Sequence, residues 1–229
     1  MAIADGHVAA AALLREGLQR LDLSIAEAAI EDLSRYAVEL YRWNRKINLV
    51  ARRSSMPEIM EKHFLDSLTL LPFFQEDEAA DGTLLDVGTG AGFPGLVLAV
   101  VKPELQVVLV EPRLKRVSFL RHIVRLLKLH NVEIIEDRLQ DAAVTGRKNI
   151  GFVTCRALTA ANDFLGMVTP FMRLGARALL MLGPDQSARF SAELPADFLI
   201  ESQRDFILPR SGGLRTVWAV TMPTALEGL

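Results

Sequence analysis

Leu84-Leu85-Asp86-Val87-Gly88-Thr89-Gly90-Ala91-Gly92-Phe93-Pro94-Gly95 is an apolar run that ends in an acid and breaks into alternating glycines. The run has the length of a buried strand. The glycines mark a tight turn, where backbone takes positive φ and lies bare against a ligand. Past Gly95, Val97 and Val101 fall on a helix. A strand feeding a glycine turn that opens a helix sets free amides at the carboxyl end of a sheet. In open α/β sheets that crevice is where ligands bind.

Downstream, Gln106–Glu111, Val132–Glu136, Phe152–Cys155 and Ala176–Leu182 read as strands, and Lys115–Leu129 and Asp163–Met172 as helices. Strand alternating with helix implies right-handed crossovers and a mostly parallel sheet with helices on both faces. Leu199–Leu208 and Arg215–Met222 are strand-like, with Ser211-Gly212-Gly213 between them, which predicts an antiparallel hairpin. The expected fold is α/β, a seven-stranded, mostly parallel sheet closed by a C-terminal antiparallel hairpin. That is the class I, Rossmann-like arrangement of methyltransferases rather than that of dehydrogenases.

Upstream the chain reads as helical. Ser24 with Glu27 has the spacing of a capping box, followed by an apolar stripe of Ile30, Leu33, Ala37, Leu40 and Ile47. A shorter helix runs through Leu14, Leu18 and Leu21, and another from Pro57 toward Leu71. The acidic stretch Gln75–Gly82 reads as a solvated loop. The predicted division is a helical N-terminal extension over 1–80, packed on a cofactor-binding domain over 81–229.

The chain has 229 residues, half of them apolar, and a net charge of −2. No overall field draws it to nucleic acid or membrane, so any basic surface is local. Cys155 is the lone cysteine, which suits a reducing compartment. The N-terminus lacks a secretory pattern, and the longest strictly apolar run, Leu96 to Val101, is too short to span a bilayer. A cytoplasmic monomer without membrane contact is expected. No Cys/His spacing suggests zinc or another metal site.

Gly90, Gly92 and Gly95 also satisfy the dinucleotide pattern G-x-G-x-x-G. Asp86 favours a methyl donor, because its carboxylate suits an ammonium group and would repel a pyrophosphate. Glu111, ending the next strand, can accept from both ribose hydroxyls, a role that serves either cofactor. Two segments concentrate positive charge. One holds Arg42, Arg45, Lys46, Arg52 and Arg53 against Glu39; the other holds Arg113, Lys115, Arg116, Arg121, Arg125 and Lys128 against Glu111. They read equally as solvated helix faces or as phosphate-binding patches. Tyr41 and Trp43 suit base stacking or helix packing, and His63, Asn44, Asn48 and Asp66 suit structural hydrogen bonding.

Several stretches carry a further signal. They are Trp43-Asn44 with Asn48-Leu49, and His63 with Leu65-Asp66-Ser67. They continue with Asp86 to Gly95 and its Phe93-Pro94-Gly95 ending, Lys115-Arg116 with Phe119-Leu120, and Cys155-Arg156-Ala157. From about Tyr36 to Gly183 the chain resembles the RsmG (GidB) family, bacterial methyltransferases that modify the 7-nitrogen of a guanine in 16S ribosomal RNA. The resemblance implies S-adenosyl-L-methionine as cofactor and 16S ribosomal RNA, in small-subunit particles, as partner. It implies that Gly88 and Phe93 line the donor site, together with Asp86, Gly90, Gly92 and Glu111 as read from their own chemistry, and that Leu139 and Gln140 hold the adenine. Arg156 becomes the candidate catalytic residue, facing either the donor's carboxylate or the guanine carbonyl. Arg45, Lys46, Arg52, Arg53, Arg113, Lys115 and Arg116 become the candidate RNA contacts.

The chain departs from the family at Leu182, where a lysine is usual, and at Val220-Thr221-Met222, where basic residues are usual. Both departures remove charge available to RNA. Guanine N7 carries a free lone pair, so in-line methyl transfer needs no base and rests on positioning. The rival readings are a small-molecule methyltransferase, an NAD-dependent oxidoreductase and a non-catalytic RNA-binding assembly protein.

Overall fold

β1 (Thr83–Val87) is buried along its whole length and pairs in parallel with β2 (Val107–Val110) on one side and β4 (Ile150–Cys155) on the other. β3 (Val132–Ile135) adds beyond β2, and β5 (Arg177–Leu182) beyond β4, also in parallel. β6 (Leu199–Ile207) and β7 (Leu214–Thr221) form the expected antiparallel hairpin, with β7 against β5. The seven-stranded order is β3-β2-β1-β4-β5-β7-β6. The chain leaves β1 toward β2 and later returns to β4 on the opposite side, so the crevice above β1 is the switch point of the sheet. This computed structural model describes residues 3–75, 82–140, 149–156 and 160–223. Most of the acidic stretch read as a loop, 76–81, and Ala157 lie outside them.

The strands alternate as a period of two requires. Leu84, Val107, Leu109, Phe152, Leu179 and Val217 point into one apolar cluster, and Leu85, Val87, Val108, Val110, Leu180 and Trp218 into another. The first cluster is closed by α1 (Ile3–Arg20), α2 (Glu27–Asn44), α3 (Met56–Ile59), a π-helical turn (Met60–Leu65), α4 (Asp66–Leu68), α5 (Pro72–Gln75), α6 (Gly95–Val101) and α7 (Leu114–Leu127). The second is closed by α8 (Ala161–Met172) and α9 (Pro184–Glu193). The N-terminal helices therefore share one apolar cluster with the sheet. No described helix is long and apolar enough to cross a membrane.

The helical region differs from expectation in its boundaries. α2 starts after Ala26, which makes no side-chain cap, so the Ser24–Glu27 box does not form. The Glu27 carboxylate pairs instead with Arg15 on α1. The reciprocal box belongs to Ser55 and Glu58 at the head of α3. α2 ends at Asn44, which leaves Ile47 off its stripe. Asn44 Oδ1 accepts from the amides of Leu49 and Val50, each at 2.9 Å, and turns the chain back. The single helix expected from Pro57 toward Leu71 begins at Met56 and passes through the π-helical turn. α9 was not anticipated. Phe190 is the one residue it buries, so its sequence shows no apolar stripe.

Candidate active site

The glycine turn hangs from β2. The amides of Gly88 and Thr89 both donate to the Val110 carbonyl, at 2.8 and 3.1 Å. Gly88, Gly90 and Gly92 take φ of 66°, 64° and 97°, a region open to glycine at little cost. Space is the second constraint at Gly92. A Cβ there would stand 2.6 Å from Tyr36 Oη and 2.8 Å from Leu96 Cβ. Tyr36, fully buried on α2, donates its hydroxyl to the Ala91 carbonyl and so ties the N-terminal helices to the turn.

Asp86 sits fully buried beneath the turn. Its Oδ2 accepts from Thr89 Oγ1 at 2.6 Å and from the Gly95 amide at 2.8 Å. Its Oδ1 is buried and has no hydrogen-bond partner among the described residues. Burial pushes this carboxyl up to about 6, against the opposing pull of those hydrogen bonds and of the Arg156 charge. Glu111 joins the turn to α7. Its Oε2 accepts from the Gly90 amide and its Oε1 from the Arg113 amide, both at 3.0 Å, with Arg116 Nη1 at 3.5 Å from Oε2.

Phe93 is the aromatic centre of the opposite wall. Tyr36 stacks parallel to it at 5.6 Å, His63 at 5.1 Å, and Phe64 meets it edge-on at 5.2 Å. The Arg156 guanidinium lies over its ring, 5.0 Å from the centroid. Arg156 leaves the end of β4 and grips the π-helical turn. Nη1 donates to the Lys62 carbonyl and Nη2 to His63 Nδ1, each at 2.7 Å. Nη1 also lies 3.7 Å from Asp66 Oδ2, and Asp66 Oδ1 accepts from Arg215 Nε of β7 at 2.6 Å. A guanidinium only donates, so Nδ1 is the acceptor and the ring proton sits on Nε2. Burial, then the charges of Arg156 and Lys62, lower His63 to about 3, so the ring is neutral.

These groups enclose a cavity of about 410 Å³ lined by Leu49, Val50, His63, Gly88, Thr89, Gly90, Ala91, Phe93, Glu111, Pro112, Arg113, Arg116 and Arg156. A basic groove of about 620 Å³ lies beside it, lined by Lys46, Ile47, Asn48, Arg52, Arg113, Leu114, Lys115 and Arg116. Arg113 and Arg116 belong to both walls, so the groove borders the cavity.

Of the expected donor-site residues, Gly88, Gly90, Phe93, Glu111 and Arg156 line the cavity. Asp86 is buried behind the turn, and Gly92 lies against Tyr36. Leu139 is buried in the second apolar cluster and Gln140 is exposed; neither lines the cavity. Of the expected RNA contacts, Lys46, Arg52, Arg113, Lys115 and Arg116 line the groove, while Arg45 and Arg53 are exposed outside its lining. Trp43 packs against Phe119 and His122. Asp66 joins the N-terminal helices to β4 and β7, as its expected structural role requires. Leu182 is buried in the second cluster. Leu49, Val50 and His63 are also cavity walls, outside the residues expected from the sequence. For His63 the available signal was its place in a helix otherwise read as apolar.

The family model for rRNA small subunit methyltransferase G (GidB) matches residues 29–211. The chain is 40% identical to ribosomal RNA small subunit methyltransferase G of Desulfotalea psychrophila over 209 residues, covering 89% of this chain and 94% of that one. It is 37% identical to the protein of the same name from Stenotrophomonas maltophilia over 213 residues, covering 93% and 95%. Among solved structures, TrmN from Thermus thermophilus shares the fold, with a TM-score of 0.50 at 14% identity, covering 72% of this chain and 53% of that one. The matched span includes most of α2, the Asp86–Gly95 turn, the walls of the cavity and the basic groove, so the chain that builds this site belongs to the rRNA small subunit methyltransferase G (GidB) family.

Proposed function

We propose that this protein transfers a methyl group from S-adenosylmethionine to the 7-nitrogen of a guanine in 16S ribosomal RNA, acting on small-subunit particles. The observation that carries this reading is the wall shared by cavity and groove. Arg113 and Arg116 border a nucleoside-sized pocket on one side and a cationic channel on the other. The channel suits a phosphate backbone, and the pocket falls in the size range of cofactor sites.

The residues present fit the donor. Asp86 Oδ1 is a buried acceptor without a partner among the described residues, suited to an ammonium group. Gly88 and Gly90 offer bare backbone, with Phe93 as the facing wall. Glu111 keeps a carboxylate at the pocket edge for ribose hydroxyls. When bound, S-adenosylmethionine supplies an electrophilic methyl group on a sulfonium with a neutral thioether as leaving group. The guanine lone pair makes the new N–C bond, so the protein's task is to orient rather than to remove a proton. Holding reactants in line is worth roughly 7–11 kcal/mol of barrier. Arg156, fixed by Lys62, His63 and Phe93, closes the β4 side of the pocket. The division proposed for the chain is a helical extension over 1–80 on a methyltransferase domain over 81–229. The extension supplies Leu49, Val50 and His63 to the pocket.

The test is incubation with methyl-labelled S-adenosylmethionine and small-subunit particles from cells lacking this protein. Label in 16S RNA is expected. Label confined to metabolites of an added extract, or salt-sensitive RNA binding without transfer, contradicts the reading.

A further inference from the structure

His63 is the one ionisable side chain of the pocket wall whose hydrogen-bonding sense is dictated from behind. Arg156 Nη2 donates to Nδ1 at 2.7 Å, and the ring lies stacked on Phe93 at 5.1 Å and 24°. Both contacts fix the ring plane. The remaining nitrogen, Nε2, carries the proton and has no hydrogen-bond partner among the described residues, while the side chain lines the cavity. The wall thus presents one oriented, uncharged N–H donor.

Its position narrows what that donor meets. Glu111 and Arg113 follow β2, on one side of the glycine turn, whereas Arg156 follows β4 on the other. His63 is bonded to Arg156 and so belongs to the β4 side of the turn, across it from Glu111. We propose that His63 Nε2–H donates to O6 of the target guanine and makes the pocket select guanine over adenine. This rests on the methyl-transfer reading above.

The chemistry favours a neutral donor. N7 and O6 are adjacent acceptors on one edge of guanine, whereas adenine presents an amino donor beside N7. A donor facing that amino group leaves both unpaired, which is costly in a closed site. Methylation at N7 also leaves the purine with a positive charge. An imidazolium at this place would oppose that charge; an N–H held neutral by Arg156 does not. The Arg156 charge itself is offset by Asp66, 3.7 Å away.

The test pairs two variants with two substrates. His63→Asn keeps an oxygen where Nδ1 accepts from Arg156 and deletes the Nε2 donor. His63→Gln places an amide N–H near Nε2. Reconstituted small-subunit particles carry guanine or 2-aminopurine, which retains N7 and lacks O6, at the mapped target. The wild type is expected to prefer guanine in kcat/KM. His63→Asn should shrink that preference by roughly 10- to 100-fold, and His63→Gln should restore most of it. An equal preference in wild type and His63→Asn overturns the assignment, whatever happens to donor affinity. Absence of transfer to guanine by the wild type overturns the methyl-transfer reading itself. Should His63→Asn not fold, the Nε2–H resonance of the 15N-histidine-labelled wild type decides. It should shift on binding guanine particles and not 2-aminopurine particles, and identical spectra overturn the assignment.

Discussion

Arg156 Nη2 and His63 Nδ1 meet at 2.7 Å although 93 residues of chain separate them. The contact joins the end of β4 to the π-helical turn and closes the cavity where sheet and N-terminal helices meet. The same guanidinium reaches the Lys62 carbonyl and the face of Phe93. Lysine keeps the charge but has no planar fork to meet all three. Arg156→Lys should therefore lower kcat/KM at least tenfold and cost about 1–3 kcal/mol of stability in denaturant melts. A variant within twofold of wild-type activity would show that this wall does not matter to the reaction.

Asp86 predicts opposite effects on stability and binding. Its carboxyl is held at about 6 in the folded chain against an ordinary 3.8. A raised carboxyl favours the protonated form, so folding loses stability as pH rises from about 4 to about 6 and carries the full penalty at pH 7. Asp86→Asn retains an oxygen to accept from Thr89 and Gly95 and removes the buried charge. It should be more stable than wild type by about 1–2 kcal/mol at pH 7, with the gap closing toward pH 4. Donor affinity should fall at least tenfold. Unchanged donor affinity in calorimetry would remove Asp86 from the ammonium site.

Two glycines at nearly the same φ separate backbone strain from crowding. Gly92 and Gly175 stand at 97° and 99°. A Cβ at Gly92 meets Tyr36 and Leu96 below 3 Å, whereas nothing lies within 4 Å of one at Gly175. Gly175→Ala should cost about 1–2 kcal/mol, the strain alone. Gly92→Ala should cost roughly twice that and weaken donor binding, because Tyr36 has to leave the Ala91 carbonyl. Equal costs in urea unfolding would mean that the turn yields to the added methyl group.

The groove should act on RNA and not on the donor. Arg52→Ala with Lys115→Ala is expected to raise KM for particles while leaving donor affinity unchanged. The slope of log affinity against log salt should drop by roughly 0.7–0.9 for each phosphate that the variant no longer neutralises. Arg53→Ala, outside the groove lining, should have a smaller effect.

The parts that sequence reveals here are those that local physics decides. Leu84 to Gly95 announces a strand, a turn and a helix because burial and glycine conformation act within a dozen residues, and the sheet follows from strand alternation. Two residue pairs obeying the same spacing rule, Ser24–Glu27 and Ser55–Glu58, cannot be told apart that way. Tertiary pairing with Arg15 draws Glu27 off, while Ser55 is left to cap. The π-helical turn is invisible to helical periodicity, since one residue shifts the register that places Glu61, His63 and Asp66. Glu61 then accepts from the amides of Arg210 and Ser211 in the hairpin turn, and Asp66 pairs with Arg215 on β7. Such pairings span roughly 150 positions of the chain, beyond any local signal. The basic segments were legible as charge, but only the fold brings Lys46 and Arg52 opposite Lys115 and Arg116.

The central claim is best tested by the identity of the modified atom. Small-subunit particles methylated by the protein are digested to nucleosides, and the labelled product is resolved by mass spectrometry against methylguanosine standards. The expected labelled nucleoside is 7-methylguanosine. Label on another nucleoside, or on a different position of guanine, contradicts it.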